Sequence, residues 1–105
     1  MKARQQLTAI IYDKRGRVLA RATNSYTQTH PRQVEYARRA GKPKREYLHA
    51  EIAAIIRCRD KINKAHKIRV ERYGKDGEPR LAKPCEVCVL AIQEVGISEI
   101  EYTIG

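Results

Sequence analysis

Two short stretches organise this sequence: His49-Ala50-Glu51 and Pro84-Cys85-Glu86-Val87-Cys88, each of which opens an apolar run. After the first, apolar residues recur at the three- and four-residue spacing of one buried helix face, which predicts a helix over residues 48–62. The proline of the second suits a helix start and Gly96 suits a helix end, so another helix is predicted over residues 85–94. Ligand-type side chains are therefore expected at two helix starts.

Strand patterns surround these two helices. Residues 7–12 and 17–23 predict an antiparallel hairpin around turn-forming residues 13–16. A short helix is predicted over residues 32–40, with Val34 and Ala37 facing inward. A third strand around Ile68 and Val70 and a last strand over residues 97–104 complete the order. The predicted fold class is α/β, with a mixed four-stranded sheet whose last two strands run parallel across a helix.

The last two predicted strands carry charge on one side only. Ile100, Tyr102 and Ile104 share one face of the last strand, and Glu99, Glu101 and Thr103 share the other. A strand buried on both faces should not carry such charge. We therefore expect the two main helices to cover one face. The other face is expected to be solvated, with pairs such as Arg69 and Glu101, or closed by another subunit.

Size and charge limit the function classes. The 105 residues fit one domain, residues 1–105, and no apolar run approaches the length of a membrane span. No signal-peptide pattern is present, and we expect a cytoplasmic protein without a membrane partner. The net charge of +10 favours polyanions such as nucleic acid or nucleotides, or an acidic partner, although it also favours solubility.

The two opening stretches suit a metal site. Cys85 and Cys88 are three residues apart, so both thiols face the same side of a helix start, where thiolates are favoured. If His49 lies beside them, zinc gains three protein ligands and keeps one position for water, which is typical of catalytic sites. Glu51 would stand next to the metal as a group that moves protons. Cys58, the third cysteine, is expected to be a half-buried free thiol.

The His49-Ala50-Glu51 and Pro84-Cys85-x-x-Cys88 pattern resembles the cytidine and deoxycytidylate deaminase superfamily at every fixed position. The resemblance implies a cytidine deaminase-like fold, with zinc held by His49, Cys85 and Cys88. It also implies hydrolytic removal of a ring amino group in nucleotide metabolism, with Glu51 as the proton shuttle. Asn24, at the end of the second strand, matches an asparagine that often contacts the sugar in this family. Ala50, Pro84 and, more remotely, His30 are further candidates for substrate contacts.

The sequence departs from the family in having no helix before the first strand and nothing after the fourth strand. In this it is similar to short deaminase-like proteins of bacteriophages. The missing elements would have covered the charged strand face, and in relatives they often help to select the substrate or to build the oligomer. A homo-oligomer is expected here, with the charged face solvated or closed by another subunit.

Several alternatives remain open at the sequence level. A structural zinc module that binds nucleic acid would explain the ligands and the charge but not Glu51. A redox C-x-x-C would leave His49-Ala50-Glu51 without a role. For a deaminase, a free nucleotide such as dCMP suits a basic pocket, with residues 32–45 as a lid or phosphate site. A base in single-stranded DNA or RNA suits the total charge, although the chain has no Trp or Phe for stacking.

Overall fold

A computed structural model describes residues 6–105 and contains the predicted order of elements. The strands are β1 (Leu7–Tyr12), β2 (Val18–Thr23), β3 (Lys67–Arg72) and β4 (Glu99–Tyr102). The α-helices are α1 (Pro31–Arg39), between β2 and β3, followed by α2 (Ala50–Cys58), and α3 (Glu86–Glu94), between β3 and β4. A 3₁₀ helix, Arg59–Lys64, joins α2 to β3.

The four strands form one mixed, open sheet in the order β2-β1-β3-β4. β1 pairs antiparallel with both β2 and β3, and β3 pairs parallel with β4. The predicted hairpin and the predicted parallel pair are confirmed. Residues 6–105 form an α/β structure with three α-helices, in agreement with a cytidine deaminase-like fold.

The hydrophobic core lies between one face of the sheet and the helices. Ile11 of β1 and Ile68 and Val70 of β3 point into it and are fully buried. Ile52 from α2 and Ile92 from α3 complete the same cluster. Each fully buried aliphatic side chain of this kind contributes about 1.5–3 kcal/mol through burial of its apolar surface. This layer holds α2 and α3 against the sheet.

The opposite face of the sheet carries ion pairs, as the alternation of charged residues predicts. Arg69 pairs directly with Glu101 on the neighbouring strand, and it also bonds Glu71 at 2.9 Å. Lys67 Nζ lies 3.2 Å from Glu101 Oε2. Ile10 is buried between Arg21 and Arg69, its two cross-strand partners. The expectation of charged pairs on an uncovered face is therefore confirmed for this single chain.

The last strand departs from its predicted pattern. Ile100 is 39% exposed and Ile104 is 71% exposed, because β4 is an edge strand beyond the cover of the helices. Thr103, expected on the solvated face, is buried instead. Its hydroxyl donates to the Arg80 carbonyl at 2.7 Å and accepts from the Arg72 N–H at 3.0 Å. The strand itself is shorter than expected, since only Glu99–Tyr102 pairs regularly.

The predicted helix over residues 48–62 is also shorter in the structure. It begins after His49, whose backbone is extended, and ends at Cys58. Arg59 adopts a positive φ of 53°, a conformation that an α-helix cannot contain. The chain continues as the 3₁₀ turn, so the apolar repeat extends beyond the α-helix itself.

None of the helices in the part of the chain that the structure describes combines the length and the apolar character needed to cross a bilayer.

Candidate metal centre and adjoining pocket

The starts of α2 and α3 bring the three predicted ligands together. His49 precedes α2 and Cys85 precedes α3, each with extended backbone at the N-cap position. Cys88 lies one turn into α3, on the side that faces the core. These residues project toward one point because both helices pack on the same face of the sheet with their N-termini adjacent. The spatial arrangement expected from the two motifs is therefore present.

The distances between the ligand atoms match the requirements of zinc. His49 Nδ1 lies 3.3 Å from Cys88 Sγ and 3.5 Å from Cys85 Sγ. Zinc bonds of about 2.1 Å to nitrogen and 2.3 Å to sulfur would place such atoms about 3.6 Å apart at a tetrahedral angle. All three ligand atoms lie within 4.8 Å of one another. One histidine nitrogen and two sulfurs fit zinc in both geometry and ligand chemistry.

The ionisation of the three groups is coupled. A hydrogen bond from the Cys88 thiol, followed by one with His49, lowers the pKa of Cys85 to about 3. The Cys85 thiolate in turn raises the pKa of His49. The pKa of Cys88 rises well above its ordinary value, first because its proton bonds Cys85 and then because it is buried. These shifts favour the thiolate form of Cys85, and a divalent cation would favour loss of the Cys88 proton as well.

Glu51 is the carboxyl group next to this cluster. It lies in the first turn of α2, is only 4% exposed, and forms part of the wall of the adjoining cavity. Burial is the main cause that raises the pKa of its carboxyl, while its own backbone N–H and nearby His49 oppose the shift. A raised pKa brings a carboxyl group closer to the range in which it can both accept and donate a proton. This is the property that a proton shuttle needs.

A cavity of about 370 Å³ opens beside the cluster. Its volume lies in the range typical of small-molecule sites. Arg45 and Lys83 supply cationic side chains to its wall, and Tyr26 and Tyr47 supply aromatic rings. Among the ion pairs between described residues, neither of these two cations takes part. The cavity therefore combines a metal-type ligand cluster, a buried carboxyl group and unpaired positive charge.

The other candidate contacts occupy different places. Asn24 lines the cavity, and its Oδ1 also accepts from the Leu7 N–H at 2.9 Å, which ties the end of β2 to β1. Ala50 lines the cavity and is buried. Pro84 is buried between the cavity residues Lys83 and Cys85. His30 caps α1, where its Nδ1 accepts from the Arg32 N–H at 3.1 Å, and it borders a neighbouring cavity.

Sequence reasoning missed one buried residue of this region and misjudged another. Gln33 is 0% exposed, whereas Val34, the residue predicted to face inward, is 42% exposed. Tyr36 and Ala37 complete the buried side of α1. An apolar-periodicity argument assigns a glutamine to the solvent side, so no signal in the sequence marked Gln33. Lys83 was likewise part of a stretch without an assigned role.

The motifs, the fold and the ligand geometry agree with a comparison against protein families. The model described as "Cytidine and deoxycytidylate deaminase zinc-binding region" matches residues 2–104. The comparison with curated proteins found no match. Since the family match covers nearly the whole chain, the protein belongs to the cytidine and deoxycytidylate deaminase family.

Proposed function

We propose that this protein is a zinc-dependent hydrolytic deaminase acting on a free cytosine nucleotide such as dCMP. The observation that carries the proposal is the placement of Glu51 and the His49, Cys85 and Cys88 cluster at one cavity. A structural zinc module would use the same three ligands. It would have no need for a buried carboxyl group with a raised pKa beside an open pocket.

His49, Cys85 and Cys88 would hold the ion. A zinc ion bound there would supply Lewis acidity that makes water nucleophilic near neutral pH. The reaction consumes one water, breaks the bond between the ring carbon and its exocyclic amino nitrogen, and leaves a ring carbonyl with ammonia as the second product. Glu51 would accept a proton from the attacking water and deliver it to the departing amine. Its burial supports this role, because the raised pKa lets the same carboxyl act in both directions.

One feature of the cavity supports a nucleotide over a nucleoside. The guanidinium of Arg45 and the ammonium of Lys83 line it without acidic partners among the described ion pairs, so they are available to a phosphate. Tyr26 and Tyr47 lie in the same wall and offer apolar surface to a base or sugar. Asn24, which directly follows β2, would contact the sugar, and Ala50 would line the base pocket.

A second substrate class has one observation in its favour. A neighbouring cavity of about 410 Å³ shares Asn24, Ser25 and Leu48 with the first and adds Arg57 and His30. A base presented by single-stranded DNA or RNA would need such space for the adjoining nucleotide. The net charge of +10 would favour the same polyanion.

A substrate panel tests the proposal. Ammonia release is measured with cytidine, deoxycytidine, their monophosphates and cytosine-containing oligonucleotides, with the protein loaded with zinc. We expect the highest kcat/KM for dCMP. Turnover confined to oligonucleotides would replace the free nucleotide with the second class.

Glu51→Gln is the control that separates catalysis from structure. The deaminase proposal expects retained zinc and lost turnover in this variant. If no cytosine compound is deaminated by the zinc-loaded protein, the proposed activity is wrong.

A further inference from the structure

Gln33 occupies an unusual position for a glutamine. It lies on α1, in the third residue of the helix, and its side chain is completely buried. A buried primary amide is costly unless both its oxygen and its nitrogen find partners. Its partners therefore show what the residue connects.

Both ends of the amide are bonded to the segment that leads into the metal centre. Gln33 Nε2 donates to the Arg45 carbonyl at 2.9 Å. Gln33 Oε1 accepts from the His49 N–H at 3.1 Å. One side chain thus joins the backbone of a cavity cation to the backbone of a metal-ligand candidate, twelve and sixteen residues further along the chain.

The segment between these two anchors has further backbone supports. The Leu48 N–H donates to the Gln28 carbonyl, and the Leu48 carbonyl accepts from the Ser25 N–H, both at 2.9 Å. These bonds fix Leu48, next to His49, while Gln33 bonds both ends of the segment. Since α1 is itself joined to α3 by the Arg39–Glu94 ion pair at 2.8 Å, the amide is carried by a supported helix.

We propose that Gln33 is a positioning residue that sets the distance between the phosphate-binding side of the cavity and the metal centre. The proposal rests on the function proposed above. The Gln33 amide fixes the backbone of Arg45 relative to His49, so the Arg45 guanidinium meets the phosphate while the base reaches the metal. Gln33 therefore contributes to the choice of nucleotide over nucleoside without touching the substrate.

A purely structural role for Gln33 predicts a different outcome. Loss of a structural amide would weaken the binding of every ligand of the pocket to the same extent, together with stability. Loss of a positioning amide weakens the ligand that needs Arg45 and spares the ligand that does not. The comparison of dCMP with deoxycytidine separates these two roles, because the two compounds differ only in the phosphate.

Three variants separate the two hydrogen bonds. Gln33→Glu, measured at a pH where its carboxyl group is ionised, keeps an acceptor for the His49 N–H but removes the donor to the Arg45 carbonyl. Gln33→Met removes both bonds at nearly constant volume. Gln93→Met is the matched control, since Gln93 is exposed on α3. Dissociation constants for dCMP and deoxycytidine are measured by calorimetry on zinc-loaded protein in the Glu51→Gln background, so that neither ligand is consumed.

We expect Gln33→Glu to weaken dCMP binding about tenfold, the effect of losing one buried hydrogen-bond partner, and to leave deoxycytidine binding unchanged. The absorption spectrum of the cobalt-substituted protein, which reports the geometry of the ligands, should not change in this variant. Gln33→Met should also weaken dCMP binding. The cobalt spectrum should shift in this variant, because the bond to the His49 N–H is lost as well. Gln93→Met should match the parent in all three measurements.

Equal weakening of dCMP and deoxycytidine, or no weakening of dCMP, would overturn the proposal. If Gln33→Glu does not fold, Gln33→Met decides on the same criterion. A double-mutant cycle that combines the Gln33 variants with Arg45→Ala gives a second criterion. The dCMP-specific effect of Gln33 should vanish in that background, and full additivity would contradict the coupling.

The proposed activity is judged by a different measurement. Absence of ammonia release from the zinc-loaded parent with any cytosine compound would contradict deamination but leave the binding comparison intact. Turnover of deoxycytidine by a parent that binds dCMP no better would overturn the Gln33 proposal while deamination stands.

Discussion

Two glutamates illustrate how differently this molecule treats a carboxyl group in its two main regions. Glu51 is buried at the helix starts, and burial raises its pKa. Glu101 lies on the uncovered face of the sheet, where hydrogen bonds from Lys67 and then Arg69 lower its pKa. The first region makes a carboxyl group ready to exchange protons, whereas the second fixes its charge. Residue type alone does not distinguish the two.

The two faces of the sheet show the same contrast between buried and solvated side chains. On the helix-covered face, β3 contributes Ile68 and Val70 to the core. On the uncovered face, the same strand contributes Lys67 and Arg69 to ion pairs with β4. Stability should therefore depend on the first face, and the metal centre depends on it too because α2 and α3 are packed there.

The largest effect is expected at the candidate metal ligands. Cys88→Ser should abolish zinc binding and turnover together, because two protein ligands remain and a neutral hydroxyl is a poor substitute for thiolate. Metal content after dialysis, measured per polypeptide, checks this. Cys58→Ala is the control. Cys58 was expected to be half-buried but is only 1% exposed in the core, and it lies outside the ligand cluster, so its loss should leave the zinc content unchanged. Full zinc content in Cys88→Ser would remove that residue from the site.

The next effect compares the two glutamates directly. Glu51→Gln should lower the rate of deamination by about 10²–10⁴-fold, the usual contribution of a positioned proton-transfer group. Zinc content should be retained. Glu101→Gln should leave kcat and KM unchanged, because its partners are Lys67 and Arg69 on the uncovered face. Equal losses in both variants would indicate a general effect on the fold.

The two faces of β3 provide a comparison of stability. Ile68→Ala should reduce the free energy of unfolding by about 3 kcal/mol, through lost burial and the cavity left behind. Lys67→Ala, one residue away on the other face, should cost less than about 1 kcal/mol, since its ion pair is partly exposed and screened by solvent. Urea denaturation of both variants measures the difference. Similar losses would mean that the uncovered face is buried in solution, as in an oligomer.

The smallest effects concern the pH dependence of stability, and they should have opposite signs. The lowered pKa of Glu101 stabilises the fold above the ordinary glutamate pKa of 4.5, and this contribution is lost as the pH falls through the lowered value. Glu101→Gln should therefore be less stable than the parent at neutral pH and equal to it in acid.

The pKa of Glu51 is raised in the folded state. Its contribution to stability is therefore fully present below pH 4.5 and is lost as the pH rises through the raised value. In metal-free protein, the stability of Glu51→Gln relative to the parent should therefore increase as the pH rises. Urea midpoints measured from about pH 2 to pH 8 follow both differences. Parallel pH profiles for the two variants would contradict the contrast between the two regions.

The comparison also explains which parts of the molecule were predictable. The hairpin, the parallel pair and the charged strand face follow from local alternation of residue types, and all three are present. The ligand set follows from two motifs at helix starts, and its three atoms lie within 4.8 Å of one another. These features depend on short-range patterns, each of which can be recognised within a single segment of the sequence.

The errors arise where a partner distant in the chain decides the outcome. Val34 was expected to face inward but is 42% exposed, whereas the neighbouring Gln33, which received no assignment, is buried with its amide bonded to Arg45 and His49. Ile100 was expected under the helices, but its position on an edge strand leaves it partly exposed. Neither partner is visible in the local sequence pattern.

The amino-acid sequence by itself determined the elements, the metal-type ligands and the glutamate beside them, because helix and strand periodicity and ligand chemistry are local properties. Only the tertiary structure decided which of the 22 lysines and arginines line the cavity and that a buried glutamine joins it to the metal centre. Those choices depend on packing between α1, the segment before α2 and the start of α3, where burial turns ordinary polar groups into specific partners.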